Sequence, residues 1–526
     1  MQKKKLFKTA VCALVSCLLI GSVSAGASTV YSEHGNDAYG TYTYVESASG
    51  MKAVYAKPMF NSAEVINNRD MGISSFSSLT DICVSSDKIF LLDSEQSRVV
   101  ILNSDYSLFA DYVNLGGETF AGAKGIYAAG DRFYVADTEN ARVLVCSLSG
   151  EVTGKIVLPD SSLIPDNFKF KPTKIAVDSD GFTYILSDGS YYGAILYSPE
   201  GEFLGFYGSN TVTSSISAVL VSLWEKLTLT NEKRAKQTSK LPYQFTDLYI
   251  DKDNFIYTAT GKTKNNQVQT GVVRKLSPSG TNILPSDNVV FGDQSIPSSG
   301  NTYYLPTQSI DGLCVDGDGF VYIYDSSYGK IYVYDAQCNM LNAFGGGIGN
   351  GKQNGVFCRV SGIDVLNDDI LVIDSIKNSL TVFKINEYGR LLKKAQKMTL
   401  AGDYSNSEEL WKQVYSLDNN SRQALVGLAK SAYSRGNYRS AMEYAEKGFD
   451  RTTYSVAFQH IRTEFLHKYF GFILAFVIAA AAAVWVLLRV KRKKNVRFIK
   501  RRETKLMLRT AAHPAATFTE LKQKGG

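Results

Sequence analysis

Histidine is almost missing from the middle of this 526-residue chain. The four present are His34, His460, His467 and His513, so none lies between residues 51 and 400. That absence removes imidazole metal ligation and the commonest general base from the whole central region. Cysteine is sparse as well. Of seven, Cys12 and Cys17 lie in the leader, which leaves an odd five: Cys83, Cys146, Cys314, Cys338 and Cys358. With no Cys-x-x-Cys pair, neither a zinc site nor a dense disulfide framework fits. Cys83, Cys146 and Cys314 sit at apolar strand positions, where a free thiol packs as a small hydrophobe. No Gly-x-Ser-x-Gly nucleophile motif occurs either.

Long apolar runs are absent too, apart from two that say where the chain resides. Residues 1–25 begin with MQKKKLFK, run apolar from Ala10 to Ile20 and reach the small residues Val23 and Ala25. That is the form of a secretory signal peptide. Leu14-Val-Ser-Cys17 is similar to a lipoprotein box, but the apolar run continues past Cys17, where a mature lipoprotein turns polar. The second run, Phe470 to Leu488, has no charge and no proline. As a helix it is about 28 Å long, which matches the hydrocarbon thickness of a bilayer. A single transmembrane helix is therefore predicted over 469–489. The basic residues that follow, Arg489, Lys491, Arg492, Lys493 and Lys494, mark its cytoplasmic side and open a basic tail over 490–526.

The net charge of +7 belongs to this topology. Residues 489–526 hold 13 Lys or Arg against 2 acidic residues, the leader adds four lysines, and the remainder is net −8. The exported part is mildly acidic, so nucleic acid is excluded as a partner. The lipid bilayer is the expected neighbour of the tail, whose charges suit an anionic headgroup.

What fills the centre is a repeat. Six times between Leu79 and Leu392 a short apolar strand, a turn, a second strand ending near Asp and a third strand recur, as in KGIYAAGDRFYVADTENARVLVCSLSGEV. Equivalent first-strand positions are Ile82, Ile126, Ile175, Leu248, Leu313 and Ile363, in steps of 44, 49, 73, 65 and 50. Such a unit cannot bury its own apolar face, so copies must stack. Strand repeats of this length predict an all-β six-bladed β-propeller over 41–400. Segments such as IFLLD, FYVAD and ILVID alternate at period two, which predicts half-buried antiparallel strands. The stretch Tyr42 to Phe60 alternates likewise, and is predicted to pair with the last blade and close the ring.

The copies resemble the NHL family of repeats, in which Ala-Asp and a polar turn follow the second strand. Asp93, Asp137, Asp188, Asp325 and Asp374 stand at that position, while the fourth copy, YTATGKTKNN, departs from it. The resemblance implies the ring architecture and leaves activity open. These aspartates read as turn caps on backbone amides. Asp178-Ser-Asp180-Gly181 and Asp316-Gly-Asp318-Gly319 look like calcium loops at first sight. Both run straight into strands and supply no later oxygen ligand, so they read as hairpin turns.

Two helical segments interrupt or follow the ring. Within an insertion at 209–241, Ile216, Val219, Leu220, Leu223, Trp224 and Leu227 share one helix face, suited to the rim of the ring, a partner or a membrane leaflet. From Ser405 to His467 the period changes to 3.6. There ALVGLAKSAYSRGNYRSAMEYAEKGFD resembles one tetratricopeptide repeat, with Leu428, Ala429, Tyr433, Gly436, Ala441 and Tyr444 at matching positions, and the segment 403–467 reads as a helical stalk. The tail pattern of His513-Pro514, Phe518 and Leu521-Lys522 resembles the start of a Yip-family membrane domain.

Three functional readings follow. The first is an extracytoplasmic binding or scaffold protein in the cell membrane, accessory to a membrane partner such as a transporter. Loop tyrosines Tyr191, Tyr192, Tyr303, Tyr304 and Tyr328 would suit a peptide or carbohydrate ligand. The second is an enzyme, because six-bladed rings resembling this one include lactonases and lyases with a channel metal; here only a carboxylate-bound ion could serve. The third is a ligand-sensing receptor. The first is preferred: no catalysis and no cofactor are expected.

Overall fold

The computed structural model describes residues 41–47, 50–165, 168–208, 244–261, 270–295, 309–346 and 354–512. The expected signal peptide, the insertion with Leu220, Leu223, Trp224 and Leu227, and Tyr303 and Tyr304 lie outside these residues, as does the tail beyond 512. Two compact units are distinguished: residues 1–431 with 447–449, and 432–446 with 450–526.

The first unit contains a six-bladed β-propeller. Its innermost strands are Leu79–Ser85, Gly125–Ala129, Pro172–Val177, Phe245–Ile250, Ile310–Val315 and Val360–Leu366. Each packs beside the next, and the sixth returns to the first, so the sheets form a closed ring. Within a blade the strands are antiparallel neighbours in chain order. Turns after the first and third strands therefore lie on one face of the ring, and turns after the second and fourth on the other.

Burial departs from the expected half-buried pattern. Lys88–Asp93 and Asp369–Asp374 are buried at every position but the first, whereas Leu108–Val113 and Val152–Val157, outermost in their blades, show the alternation. The cause is geometric. A middle strand of a blade is covered by blades on both sides, and only the rim strand has a wet face. Side chains from adjoining blades form the core clusters, as where Ile82, Leu91 and Val100 of the first blade meet Leu371, Ile373 and Val382 of the sixth.

Closure also differs from expectation. Strand β1 (Tyr42–Ser47) pairs with β2 (Gly50–Tyr55), and this hairpin extends the fifth blade to six strands through pairing of Tyr42 with Ala343. The strand that closes the last blade is β3 (Phe60–Ile66), lying antiparallel to Ser379–Ile385 with Leu380 opposite Ile66. Alternation alone could not choose between blades. The choice is made by buried polar anchors: Tyr42 and Tyr44 both donate to Asp293 Oδ1 at 2.6 Å, and Lys330 Nζ reaches Asp293 Oδ2 at 2.9 Å.

The helical region that follows the ring begins at Glu387, earlier than the change of period suggested. Helix α1 (Glu387–Leu400) starts at Asn386, whose side chain accepts from Gly389 N. It is fastened to turns of blades five and six. Lys393 Nζ lies 2.9 Å from Asp316 and 2.5 Å from Asp368, Lys397 pairs with Asp318, and Gln396 donates to Asp335. Helix α2 (Tyr404–Leu417) then buries Trp411 completely, its Nε1 donating to Thr399 at 2.7 Å. Helix α3 is Arg422–Ser434 and α4 is Tyr438–Lys447, joined at Gly436, whose φ of +76° suits only glycine well. In the second unit α5 (Arg451–Ala512) runs for 62 residues, and its most apolar 18-residue window has a mean hydropathy of 2.7 with no part of it buried.

Two truncations separate the roles of the N-terminal strands. Removing residues through Tyr55 should lower the melting temperature while keeping one cooperative transition. Removing residues through Ile66 opens the ring, and calorimetry should then show loss of that transition. In the helical region a Cβ at Gly427 would come within 2.2 Å of Trp411 Nε1, so Gly427→Ala should cost about 2 kcal/mol in denaturant titrations.

Candidate functional site

The first-strand residues that set the repeat phase, Ile82, Ile126, Ile175, Leu248, Leu313 and Ile363, all line one central cavity of about 130 Å³. One residue before each stand, in blade order, Asp81, Gly125, Lys174, Asp247, Gly312 and Gly362. Charge enters the channel from three blades at this level, and glycine occupies the other three. Two of these glycines are obligatory: a Cβ at Gly312 would come within 2.7 Å of Asp247 Oδ2, and one at Gly125 within 2.3 Å of Thr173 O.

The charged side chains answer a backbone problem. An innermost strand is the edge of its sheet, so its channel-side N–H groups have no ladder partner. Carboxylates from the preceding blade supply one. Asp81 accepts from Ile126 N at 2.9 Å, Asp247 from Leu313 N at 2.9 Å, and Asp364 from Val84 N at 2.6 Å. The last of these joins blade six to blade one. Lys174 Nζ lies 2.7 Å from Asp81 Oδ1 and 3.4 Å from Asp247 Oδ1, tying blade three to blades one and four.

Burial dominates the electrostatics. It raises Asp81, pushes Asp247 up to about 6 and Asp364 up to about 7, against the lowering influence of Lys174 on the first two and of backbone N–H donors on the third. Burial disfavours the Lys174 ammonium, yet Asp247 and Asp81 outweigh it and hold that group above its usual value. Asp364 has no such cation. Beside the channel, burial and the charge of Asp364 push the Cys83 and Cys314 thiols well up, so neither is a thiolate at neutral pH. Among the described residues, no group of three or more His, Cys, Asp or Glu is placed to hold a metal ion.

The repeated post-strand aspartates lie elsewhere. Asp93, Asp137, Asp325 and Asp374 are fully buried and reach back sixteen residues to the segment entering the first strand. They accept there from Ser77 N, Ala121 N, Ser309 N and Cys358 N. In blade three that bond is made by Ser187, which accepts from Lys171 N, and Asp188 sits one residue late, exposed, paired with Lys124 at 3.1 Å. The Asp-Gly turns use another geometry: Asp178 Oδ1 accepts from Asp180 N and Phe182 N, and Asp316 Oδ1 from Asp318 N and Phe320 N. Tyr191 and Tyr192 lie in a partly exposed turn of blade three, where the Tyr192 ring packs 5.2 Å from Phe206. Arg489, Lys491, Arg492, Lys493 and Lys494 are exposed on α5.

Sequence reasoning passed over Asp81, Lys174, Asp247 and Asp364. The signal for Asp81, Lys174 and Asp247 was the column before the phase residue, and for Asp364 the position just after it, where charge in a buried strand demands a partner.

No family model matches the chain, and no curated protein matches it, so the likenesses to NHL, tetratricopeptide and Yip families stay resemblances. Among solved structures, virginiamycin B lyase from Staphylococcus aureus is similar at 9% identity and a TM-score of 0.36, over 61% of this chain and 99% of that one. A gluconolactonase from Xanthomonas campestris is similar at 12% and 0.36, over 59% and 87%. A protein of unknown function from Bacteroides thetaiotaomicron is similar at 14% and 0.38, over 66% and 76%. Likeness at this level transfers no activity.

The raised carboxyls make a signed prediction. A buried acid whose folded pKa exceeds its unfolded one holds its proton longer when folded, so its contribution to stability is largest in acid and declines as pH rises toward the folded value. Relative to Asp364→Asn, the natural ring should lose on the order of 2 kcal/mol between about pH 5 and 7.5. Denaturant titrations across that range check it; parallel curves would contradict it.

Proposed function

We propose that this chain is a membrane-tethered binding or scaffold protein, which holds a six-bladed ring outside the cell and serves a membrane partner such as a transporter. The observation that carries the reading is the apolar stretch of α5, which is unburied and long enough to cross a bilayer. Aromatic residues at both ends of the apolar stretch, Phe465 and Tyr469 before it and Trp485 near its end, suit the two interfaces. The basic residues after Leu488 support a cytoplasmic C-terminus. The signal peptide and the insertion helix belong to the same reading, with the exposed Tyr191 and Tyr192 as the candidate contact for peptide or carbohydrate; Tyr328, expected in the same role, is buried.

Asp81, Asp247 and Asp364 each accept a backbone N–H, and Lys174 pairs with the first two, so the channel carboxylates serve ring closure. The enzyme alternative draws on one observation, the polar cavity itself.

Alkaline carbonate should leave the chain in the membrane pellet, and protease added to intact cells should cleave the ring while sparing the tail. Cross-linked membranes should return the same multi-span protein in stoichiometric yield. Release by carbonate, or a purified ring carrying one divalent ion and no partner, would favour the enzyme.

A further inference from the structure

We propose that the first two turns of α5 beyond its apolar stretch form a binding collar for anionic phospholipid headgroups; this rests on the membrane reading above. Between Arg489 and Arg502 the helix carries nine Lys or Arg, and Glu503 is the first acidic residue after Leu488. Helical structure is continuous across the junction, from Arg451 to Ala512. Continuity sets the height of each charge. At 1.5 Å per residue, Lys493 stands about 7.5 Å and Lys494 about 9 Å past Leu488, so Arg489, Lys491, Arg492 and Lys493 fall within the headgroup layer and Lys494 reaches it from its outer edge.

Their azimuths matter as much as their height. Successive residues turn by about 100°, so these five charges point around the whole helix. A site for one protein partner would concentrate them on a single face, and a collar instead meets lipid from every side. At the inner edge Arg489 lies 4.5 Å over the ring of Trp485, which holds the guanidinium at the boundary between acyl chains and water. The matching ligand chemistry is a phosphate diester anchored at that depth. Lipid supplies it in the geometry required, and a soluble phosphate would have to be held at the surface without the diacyl anchor.

The test uses the full chain in phosphatidylcholine vesicles containing about one-fifth phosphatidylglycerol. Bromine is placed on the acyl chains of one lipid or the other, and the quenching lost in Trp485→Phe, a difference that removes the contribution of Trp224 and Trp411, reports which lies beside Trp485. Quenching should show phosphatidylglycerol enriched about threefold over its bulk fraction, falling toward bulk as salt rises. Changing all five cations to Gln should abolish the enrichment, while exchanging each Lys for Arg and each Arg for Lys should preserve it. Enrichment equal to bulk in the natural protein would overturn the collar, as would its loss to inorganic phosphate but not to sulfate at equal ionic strength. Absence of quenching by either brominated lipid is a different failure, that of the membrane reading.

Discussion

A ring of sheets has one edge it cannot hide. The outer edge of each blade faces water and can be solvated, but the inner edges converge on a narrow channel where backbone donors compete for little solvent. In this chain the answer is a set of acceptors lent by the preceding blade: Asp81 to Ile126, Asp247 to Leu313, Asp364 to Val84. An unpaired buried N–H costs about 1–3 kcal/mol, so these bonds bear directly on whether six sheets close. Glycine at positions 125 and 312 then becomes necessary, because side chains there would collide with the neighbouring strand or the carboxylate itself.

Carboxylates brought in for that purpose create an electrostatic problem. Three of them share one small cavity, and one lysine answers two. The third, Asp364, is relieved by holding its proton to about neutral pH. The channel charges are thus turned toward protein partners and join neighbouring blades.

Much of the fold was legible. Strand repeats near one blade length, two of them lengthened by insertions, have few ways to bury their faces, so six blades followed from period and phase residues alone. The apolar run at 470–488 was equally plain, and it lies in one long helix whose most apolar window is unburied. What failed was local choice among equivalent partners. Tyr42–Tyr55 alternates as a closing strand would, yet it adds to the fifth blade, where Asp293 accepts from Tyr42 and Tyr44 and Lys330 donates to Tyr42. Asp188 copies the motif by sequence and misses it by one residue, its place taken by Ser187. The channel cluster went unread because attention to turns concealed the column beside the phase residues, where Asp81, Lys174 and Asp247 stand.

The central claim is that inner-edge amides are capped by side chains of the preceding blade. Residue-resolved hydrogen exchange of the full chain measures it most directly. The amides of Ile126, Leu313 and Val84 should exchange as slowly as that of Leu91 in a middle strand, through opening of the ring. Exchange of these three at the rate of exposed turns, with Leu91 still protected, would contradict it.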